Sequence, residues 1–338
     1  MKTNPFALQD HIDLLLAYPN QKHVIHPALT DVQQLSIKEE ILRLLRLANR
    51  EPVPVEAELV RVIHNPTYWE EQLVLEAGEQ VKIPITVLVP KGTPPFKPIL
   101  VFHGHEPGAA YVLGHYPDAE TEQINLALDN NYAQALAEAG YLVCVVEQRG
   151  LGQRLTAQVE DRGYPCSCRH LSFAYLLLGR TLLGERCWDG MCALNYLQTR
   201  ADVQAGVMGC TGHSGGGATA LWLAVMAERI TAVVVSGYFS AFKDSILAMR
   251  HCECNYIPGI LSLGEMGALT AAIAPRPLCM IQGQQDTIFP LAAAQAQYKI
   301  VAEAYAQNGS PEACQLSVHA GGHAYHIPTS LAWFESWL

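Results

Sequence analysis

The chain has 338 residues, half of them hydrophobic, which is enough for one large domain with a sizeable core. Its 22 lysines and arginines against 32 aspartates and glutamates give a formal net charge of -10, which excludes a strong long-range attraction for nucleic acid or for an anionic membrane. A small neutral molecule is the partner that this balance favours. Ten cysteines, with no secretory h-region in Met1–Asp10, predict reduced thiols and a cytoplasmic location.

The first part of the chain is predicted to be helical. Residues from about Leu8 to Asn49 carry apolar clusters, and the second cluster, Ile41 to Leu47, follows the charged run Lys38-Glu39-Glu40. Helices ahead of a sheet usually pack on its flank or form a subunit contact. We therefore predict an N-terminal helical extension over residues 1–55 and a single larger domain over residues 56–338.

Strand patterns follow the helical extension. Three runs, Ala57 to Ile63, Trp69 to Leu75 and Val81 to Val89, have strand character and are joined by short polar turns, which favours antiparallel pairing. Ile99 to Phe102 is predicted as a short buried strand. It ends at the turn His103-Gly104-His105-Glu106.

From there, predicted strands and helices alternate. The helices are Tyr132 to Ala139, Leu182 to Thr199, Ala218 to Arg229 and Thr329 to Leu338, and the strands are Tyr141 to Val146, Ala205 to Cys210, Ile230 to Val235, Leu278 to Ile281 and Gln315 to Val318. This alternation predicts an α/β fold with a mostly parallel sheet of about eight strands and helices on both faces. Ligands of such sheets bind at the carboxyl ends of the strands.

A Gly-x-Ser-x-Gly pattern lies at one of these strand ends. Gly212 and Gly216 stand two residues before and after Ser214, with an apolar run ahead of the pattern and an alanine-rich run behind it. The pattern is typical of a nucleophilic serine on a strained turn between a strand and a helix. Because the pattern also occurs by chance in glycine-rich loops, it indicates a catalytic serine only together with partner residues elsewhere in the chain.

Candidate partners follow two later strands. Asp286 comes after the strand that ends at Ile281, and His323 comes after the strand that ends at Val318. A serine hydroxyl needs a base, which His323 would supply, and Asp286 would orient the imidazole and stabilise its cation. The alternatives are a turn or helix-capping role for Asp286, and His319 or His326 in place of His323.

Another acidic residue, Glu147, also follows a strand. It is an alternative to Asp286 as the catalytic acid, although a buried ion-pair network with Arg149 and Asp189 is the interpretation that we favour for it.

A tetrahedral intermediate also needs hydrogen-bond donors for its oxyanion. We expect the backbone amides of Gly215 and His105 to supply them. The side chains of His103 and His105 do not have the spacing of a metal-binding pair on a helix face. No third ligand for a metal accompanies them in the sequence. Cys166-x-Cys168 and Cys252-x-Cys254 lack the two-residue spacer of zinc knuckles. We therefore expect no metal and no cofactor.

With these residues assembled, the sequence resembles the α/β hydrolases, in the branch of dienelactone-hydrolase-like and acetyl-xylan-esterase-like proteins. The resemblance runs from about Val81 to the C-terminus and is carried by the segments Phe102-His103-Gly104-His105, Gln148-Arg149-Gly150-Leu151-Gly152, Leu178-Gly179-Arg180, Trp188-Asp189, Gly212-His213-Ser214-Gly215-Gly216, Ala274-Pro275-Arg276-Pro277, Gly283-Gln284-Gln285-Asp286 and Gly322-His323. It implies the α/β-hydrolase fold and a Ser-His-Asp triad. Dienelactone hydrolases have a cysteine at the position of Ser214, and acetyl xylan esterases commonly have a glutamine at the position of Gly215, so neither substrate preference is carried over.

Three connections are longer than the sheet requires, at residues 106–131, 153–172 and 237–270, and we predict that they form lids or pocket walls. Tyr238 and Phe239, just after a strand, are the candidate pocket residues, with ordinary packing of the loop as the alternative for both. The chain is thus expected to be a serine carboxylic-ester hydrolase for small or medium acyl esters, compatible with assembly as a homo-oligomer. The alternatives are a serine peptidase of the oligopeptidase type, although the chain has no repeats for a propeller, and a non-catalytic binding protein.

Overall fold

The computed structural model describes residues 30–48, 50, 56–78 and 80–338, together with positions 8, 11, 12, 15 and 16. The beginning of the predicted N-terminal helical extension therefore lies mostly outside the described residues.

Nine strands form the main sheet within the described part of the chain. They are β1 (Glu56–His64), β2 (Tyr68–Glu76), β3 (Lys82–Pro90), β4 (Pro98–Phe102), β5 (Leu142–Val146), β8 (Gly209–His213), β9 (Ala232–Ser236), β10 (Leu278–Gly283) and β11 (Cys314–His319). Two short strands, β6 (Glu160–Asp161) and β7 (Pro165–Cys166), pair separately.

The main sheet has the order β1-β2-β3-β5-β4-β8-β9-β10-β11. Its first four strands pair antiparallel, and all pairs from β5 to β11 are parallel. The predicted mostly parallel sheet and the antiparallel pairing of the first three strands are confirmed. The central strands are buried on both faces because helices cover both sides of the sheet.

The helices are α1 (Asp31–Leu44), α2 (Ala119–Ala127), α3 (Tyr132–Glu138), α4 (Cys168–Leu177), α5 (Leu182–Thr199), α6 (Gly215–Met226), α7 (Ile260–Leu263), α8 (Met266–Thr270), α9 (Leu291–Gln307) and α10 (Ile327–Trp337). Helix α1 begins with a capping box in which the Thr30 hydroxyl accepts from the Gln33 amide. Its apolar face, including Ile37 and Ile41, is buried in the main core. The described part of the N-terminal extension therefore packs against the domain instead of standing apart from it.

One strand prediction is wrong in position. The apolar run Ala205 to Cys210 indicates a strand, but the structure places β8 at Gly209–His213. Strand β8 pairs with β4 from Gly209 to Gly212 and with β9 from Gly209 to His213, and these two ladders decide where it begins. The shift matters because β8 now runs directly into Ser214.

The three long connections carry secondary structure of their own. Residues 106–131 include α2, residues 153–172 include the β6-β7 pair and the start of α4, and residues 237–270 include α7 and α8. Their role as lids or pocket walls stays a prediction. Among the described residues, no single helix is long and apolar enough to cross a membrane. The helical segments Glu253–Leu263 and Met266–Ile273, bent by 84° relative to each other, have sufficient length and hydropathy only when they are taken together.

Candidate active site

Ser214 occupies a sharp turn between β8 and α6. Its backbone has φ 53° and ψ -119°, a conformation that a residue with a side chain rarely adopts. A Cβ atom at Gly212 would collide with the Gly216 carbonyl, and one at Gly216 would collide with the Phe102 carbonyl. The spacing of the two glycines is therefore a steric requirement of this turn. The turn leaves the Ser214 side chain partly accessible to solvent.

The structure brings Asp286 and His323 together. Asp286 follows β10, His323 follows β11, and Nδ1 of His323 lies 2.8 Å from Oδ2 of Asp286. Burial opposes ionisation of Asp286, but hydrogen bonds from His323 and from the amides of Phe289 and Ile288 outweigh it and leave the pKa of Asp286 below its usual value. Asp286 is thus held as a carboxylate facing the imidazole.

The two rival histidines lie apart from this pair. The rings of His319 and His326 stack on each other with centroids 5.5 Å apart, and Nδ1 of His326 bonds to the Thr329 hydroxyl. Of the three histidines near the C-terminus, only His323 is hydrogen-bonded to Asp286.

His213 is a site residue that sequence reasoning missed. Its ring centroid lies 4.6 Å from that of His323, and its Nδ1 bonds to the Ser236 hydroxyl at 3.1 Å. Burial lowers the pKa of His213 well below 6.5, and the neighbouring His323 adds to that effect. A Cβ atom at Gly237 would lie 2.7 Å from the His213 ring and 3.0 Å from the His323 ring, so this glycine leaves space for both. The only sequence signal was the place of His213 inside the Gly-x-Ser-x-Gly pattern.

The turn after β4 lies against the serine. A Cβ atom at Gly104 would be 3.6 Å from Cβ of Ser214, and one at Gly215 would be 2.6 Å from Cε1 of His105. Among the described residues, neither the amide of His105 nor that of Gly215 donates to another protein group. Gly215 is the first residue of α6, where the helix itself leaves the amide without a partner. Both predicted oxyanion donors are therefore available beside Ser214.

His103 fixes the start of the same turn. Its Nε2 accepts from the Gln148 amide at 3.0 Å, which places the ring proton on Nδ1, 2.9 Å from the Gly104 carbonyl. The Gln148 side chain donates to the His103 carbonyl and accepts from the Thr219 hydroxyl at 2.7 Å. His103 is fully buried, so it has a structural role in the turn.

Glu106 is a second residue that the sequence did not single out. Its Oε1 accepts from the Gly104 amide at 3.0 Å, while its buried Oε2 has no hydrogen-bond partner among the described residues. Burial raises the pKa of Glu106 to about 7 even though His103 and the Gly104 amide oppose this shift. It directly follows the predicted oxyanion turn, which is the signal that could have identified it.

The ion-pair network around Arg149 differs in membership from the expectation. Arg149 binds Asp189 at 2.7 Å and Glu185 at 2.6 Å, and Arg154 also binds Asp189. The Glu147 carboxylate lies outside this network, 3.4 Å from Nε2 of His103 and from the Ala109 amide, although the Glu147 carbonyl accepts from Nη1 of Arg154 at 3.2 Å. Glu147 makes no contact with His323 among the interactions of the described residues, which leaves Asp286 as the acid beside the imidazole.

The two predicted pocket residues lie in the core. Tyr238 is 0% and Phe239 is 1% exposed, and the Tyr238 hydroxyl accepts from Nε1 of Trp222 at 3.1 Å. The positive φ of 57° at Gly237 turns the chain after β9, and the aromatic side chains that follow enter the main core. Their position after a strand therefore gives them a packing role instead of a place on an open pocket wall.

A cavity of about 420 Å³ lies between α4 and the loop after β9. His251 lines it, and the ring of His251 is 5.3 Å from Phe289, whose own ring is 5.9 Å from His323. Neither Ser214 nor His323 lines this cavity. The ring contacts of Phe289 with His251 and with His323 connect the cavity wall to the site.

By sequence, the chain is similar to a protein that bears the name of a hydrolase. No protein-family model matches the chain. The Bacillus subtilis (strain 168) protein named "Putative hydrolase YtaP" is 27% identical over 296 residues, which cover 85% of this chain and 92% of that protein.

Solved structures also match over most of the chain. A "putative acetyl xylan esterase" from Bacteroides fragilis NCTC 9343 has a TM-score of 0.78 at 17% identity and covers 94% of this chain and 83% of that one. A glucuronoyl esterase from Solibacter usitatus has a TM-score of 0.65 at 14% identity, with 88% and 91% covered. The chain therefore has the α/β-hydrolase fold that its motifs predict, and the structures it resembles include those of acetyl xylan and glucuronoyl esterases.

Proposed function

We propose that the protein is a serine hydrolase that cleaves carboxylic esters of small or medium acyl groups through an acyl-enzyme intermediate. The observation that carries the proposal is the combination of Ser214 on a strained turn with the Asp286–His323 hydrogen bond at the same edge of the sheet. The esterase names among the solved structures of the same fold support the reaction class.

The first half of the reaction forms the acyl-enzyme. His323 takes the proton from the Ser214 hydroxyl as its oxygen attacks the ester carbonyl carbon, and Asp286 stabilises the imidazolium that results. The carbonyl oxygen becomes an oxyanion that accepts hydrogen bonds from the Gly215 and His105 amides. His323 then gives the proton to the leaving alkoxide, which departs as the alcohol.

The second half regenerates the serine. A water molecule gives a proton to His323 and attacks the acyl carbon, the same two amides stabilise the second oxyanion, and the carboxylic acid leaves as Ser214 regains its proton. Donors that are already in place need little reorganisation during either step, and one such donor is typically worth about 3 kcal/mol of barrier.

Labelling with a fluorophosphonate probe, combined with kinetics on aryl esters of rising acyl length, tests the proposal. We expect one adduct on Ser214 and turnover that falls for long acyl chains. Ser214→Ala should abolish both, while the control Ser262→Ala, at an exposed serine, should retain both. A folded wild-type protein without an adduct and without ester turnover would contradict the proposal and favour a binding role. Cleavage of peptide amides in preference to esters would favour the peptidase alternative.

The small ester as partner, the cytoplasmic location and the homo-oligomer remain predictions from composition and motif. None of the ten cysteines, all of which lie among the described residues, forms a disulfide.

A further inference from the structure

Three cysteines and a histidine meet beside the predicted oxyanion turn. The metal-ligating atoms of His105, Cys168, Cys252 and Cys254 all lie within 4.8 Å of one another. Nε2 of His105 is 3.1 Å from Sγ of Cys254, and the Sγ atoms of Cys252 and Cys254 are 3.2 Å apart. His105 follows β4, Cys168 begins α4, and the other two cysteines lie in the loop after β9, so only the folded chain brings them together.

We propose that these four side chains bind one Zn²⁺ ion in a closed tetrahedral site. Three thiolates and one imidazole form a donor set typical of structural zinc centres, and soft sulfur ligands disfavour Mg²⁺ and Ca²⁺. A zinc ion about 2.3 Å from each sulfur would separate two ligand sulfurs by about 3.8 Å. The observed 3.2 Å between Cys252 and Cys254 is close to that separation, so small rotations of the side chains would admit the ion.

A buried arginine gives independent evidence for negative charge at this place. Arg186 is 1% exposed and donates to Sγ of Cys168 at 3.1 Å and to the Arg149 carbonyl at 2.7 Å. Within the described part of the chain, Arg186 forms no ion pair with a carboxylate. A buried guanidinium without a counter-charge is costly. Zn²⁺ with three thiolates and a neutral imidazole carries one negative charge, which Arg186 would neutralise.

The sequence does not indicate this site, because its ligands come from two Cys-x-Cys pairs and a histidine that are far apart in the chain. Neither pair has the spacing of a zinc knuckle, and His105 is far from both in the chain. The fold places Cys168 of the first pair against both cysteines of the second. Cys166 stays outside the ligand group, and its Sγ accepts from the Cys168 amide at 3.3 Å.

The zinc site would also position the oxyanion turn, a consequence that rests on the proposed function. The His105 ring that would bind zinc packs against Gly215, and the backbone amides of these two residues are the proposed oxyanion donors. With four protein ligands the ion has no open position for substrate, so its role is structural. His105 is then held from its side chain while its amide faces the reaction.

The first test measures metal in the full-length protein, purified under reducing conditions. We expect about one zinc ion per chain by elemental analysis. After removal of zinc with a chelator, Co²⁺ should bind and give the intense visible and near-ultraviolet absorption of tetrahedral cobalt with thiolate ligands. Absence of zinc together with absence of these bands would overturn the proposal, as would a Cys252–Cys254 disulfide in the reduced preparation, seen as a loss of two hydrogens in mass.

Substitutions then assign the ligands. Cys254→Ser and Cys252→Ser should each reduce retained zinc at least tenfold, whereas the matched control Cys166→Ser, in the same cluster of thiols, should retain it. If a ligand variant does not fold, the cobalt spectrum of the wild-type protein still decides the question. Equal zinc content in all three variants would overturn the assignment.

The positioning role has its own readout, which separates it from the proposed function. Removal of zinc should lower kcat for an aryl ester at least tenfold, and added Zn²⁺ should restore it. Full turnover by the zinc-free protein would overturn the positioning role. A protein that binds zinc but does not react with fluorophosphonate would instead overturn the proposed function and support the metal site.

Discussion

Oδ2 of Asp286 lies 2.8 Å from Nδ1 of His323, while Oδ1 of the same carboxylate accepts from the amides of Ile288 at 2.8 Å and Phe289 at 2.9 Å. The two oxygens therefore serve different roles. The sequence offered a turn aspartate and a catalytic acid as alternatives for Asp286, and the geometry accommodates both at once. The amide bonds fix the carboxylate so that the other oxygen points at the imidazole.

Asp286→Asn should separate these two roles. The asparagine oxygen can still accept from the two amides, but its NH₂ group would face Nδ1 of His323 and favour the wrong imidazole tautomer. We expect kcat for an aryl ester to fall by about 10⁴, as in the comparable serine protease case, with a much smaller change in stability. Steady-state kinetics and urea unfolding of the same preparation measure both. Asp286→Ala is the matched comparison, because it also removes the acceptor for the amides and should lose more stability. Near-normal turnover in Asp286→Asn would exclude Asp286 as the catalytic acid.

The lowered pKa of Asp286 also predicts a dependence of stability on pH. Because the folded-state pKa lies below the usual value of 3.8, ionised Asp286 stabilises the fold above that pH, and the contribution is lost as the pH falls through the folded-state pKa. The difference in unfolding free energy between the wild type and Asp286→Asn should therefore shrink as the pH falls from about 5 to about 3. Urea titrations across this range measure it. A difference that grows between about pH 5 and pH 3 would contradict the sign of the shift.

Gly215→Ala should disturb the oxyanion site more than the fold. The added Cβ would lie 2.6 Å from Cε1 of His105, so the ring and the turn that carries the His105 amide must move. Loss of one oxyanion donor typically costs about 10² to 10³ in kcat, while alanine at a helix start is otherwise favourable. The comparison is Gly217→Ala, whose Cβ would lie 2.8 Å from the Ser236 carbonyl and should instead lower the unfolding free energy. Unchanged kcat in Gly215→Ala would place the oxyanion elsewhere.

The sequence was most informative for the local turn at Ser214 and for side chains that directly follow the parallel strands. The glycines around Ser214 are required by local clashes, so the turn could be recognised from a five-residue pattern. The contact between Asp286 and His323 could be predicted because parallel strands bring their carboxyl ends to one edge of the sheet. The boundaries of β8 were not found, since its ladders with β4 and β9 decide them rather than its own hydrophobicity.

The sequence was least informative where the long connections fold back over the sheet. Nothing in the pattern around Tyr238 indicates that the turn at Gly237 sends its ring into the core. The contact between His105 and Cys254 joins residues 149 positions apart, and no spacing rule describes it. Such contacts depend on how the long connections fold over the sheet, which hydrophobic periodicity does not specify.

A pair outside the site, Glu70 and His115, predicts the opposite pH dependence. Nε2 of His115 lies 3.0 Å from Oε2 of Glu70, whose side chain is fully buried on β2. The interaction with the Glu70 carboxylate raises the pKa of His115 above 6.5 even though burial opposes it. The stabilisation from this pair is therefore fully present below about pH 6.5 and is lost as the pH rises through the folded-state pKa of His115.

His115→Gln should accordingly cost stability near pH 6 and cost less near pH 9. The histidine is 44% exposed, so solvent screening limits the effect to below about 1 kcal/mol, and added salt should reduce it further. His64→Gln is the control, because His64 makes no ion pair among the described residues and its replacement should give no such pH-dependent difference. Urea unfolding of the three proteins at pH 6 and pH 9 decides the outcome. A cost of His115→Gln that is larger at pH 9 would mean that the charged imidazole does not stabilise the buried Glu70 carboxylate.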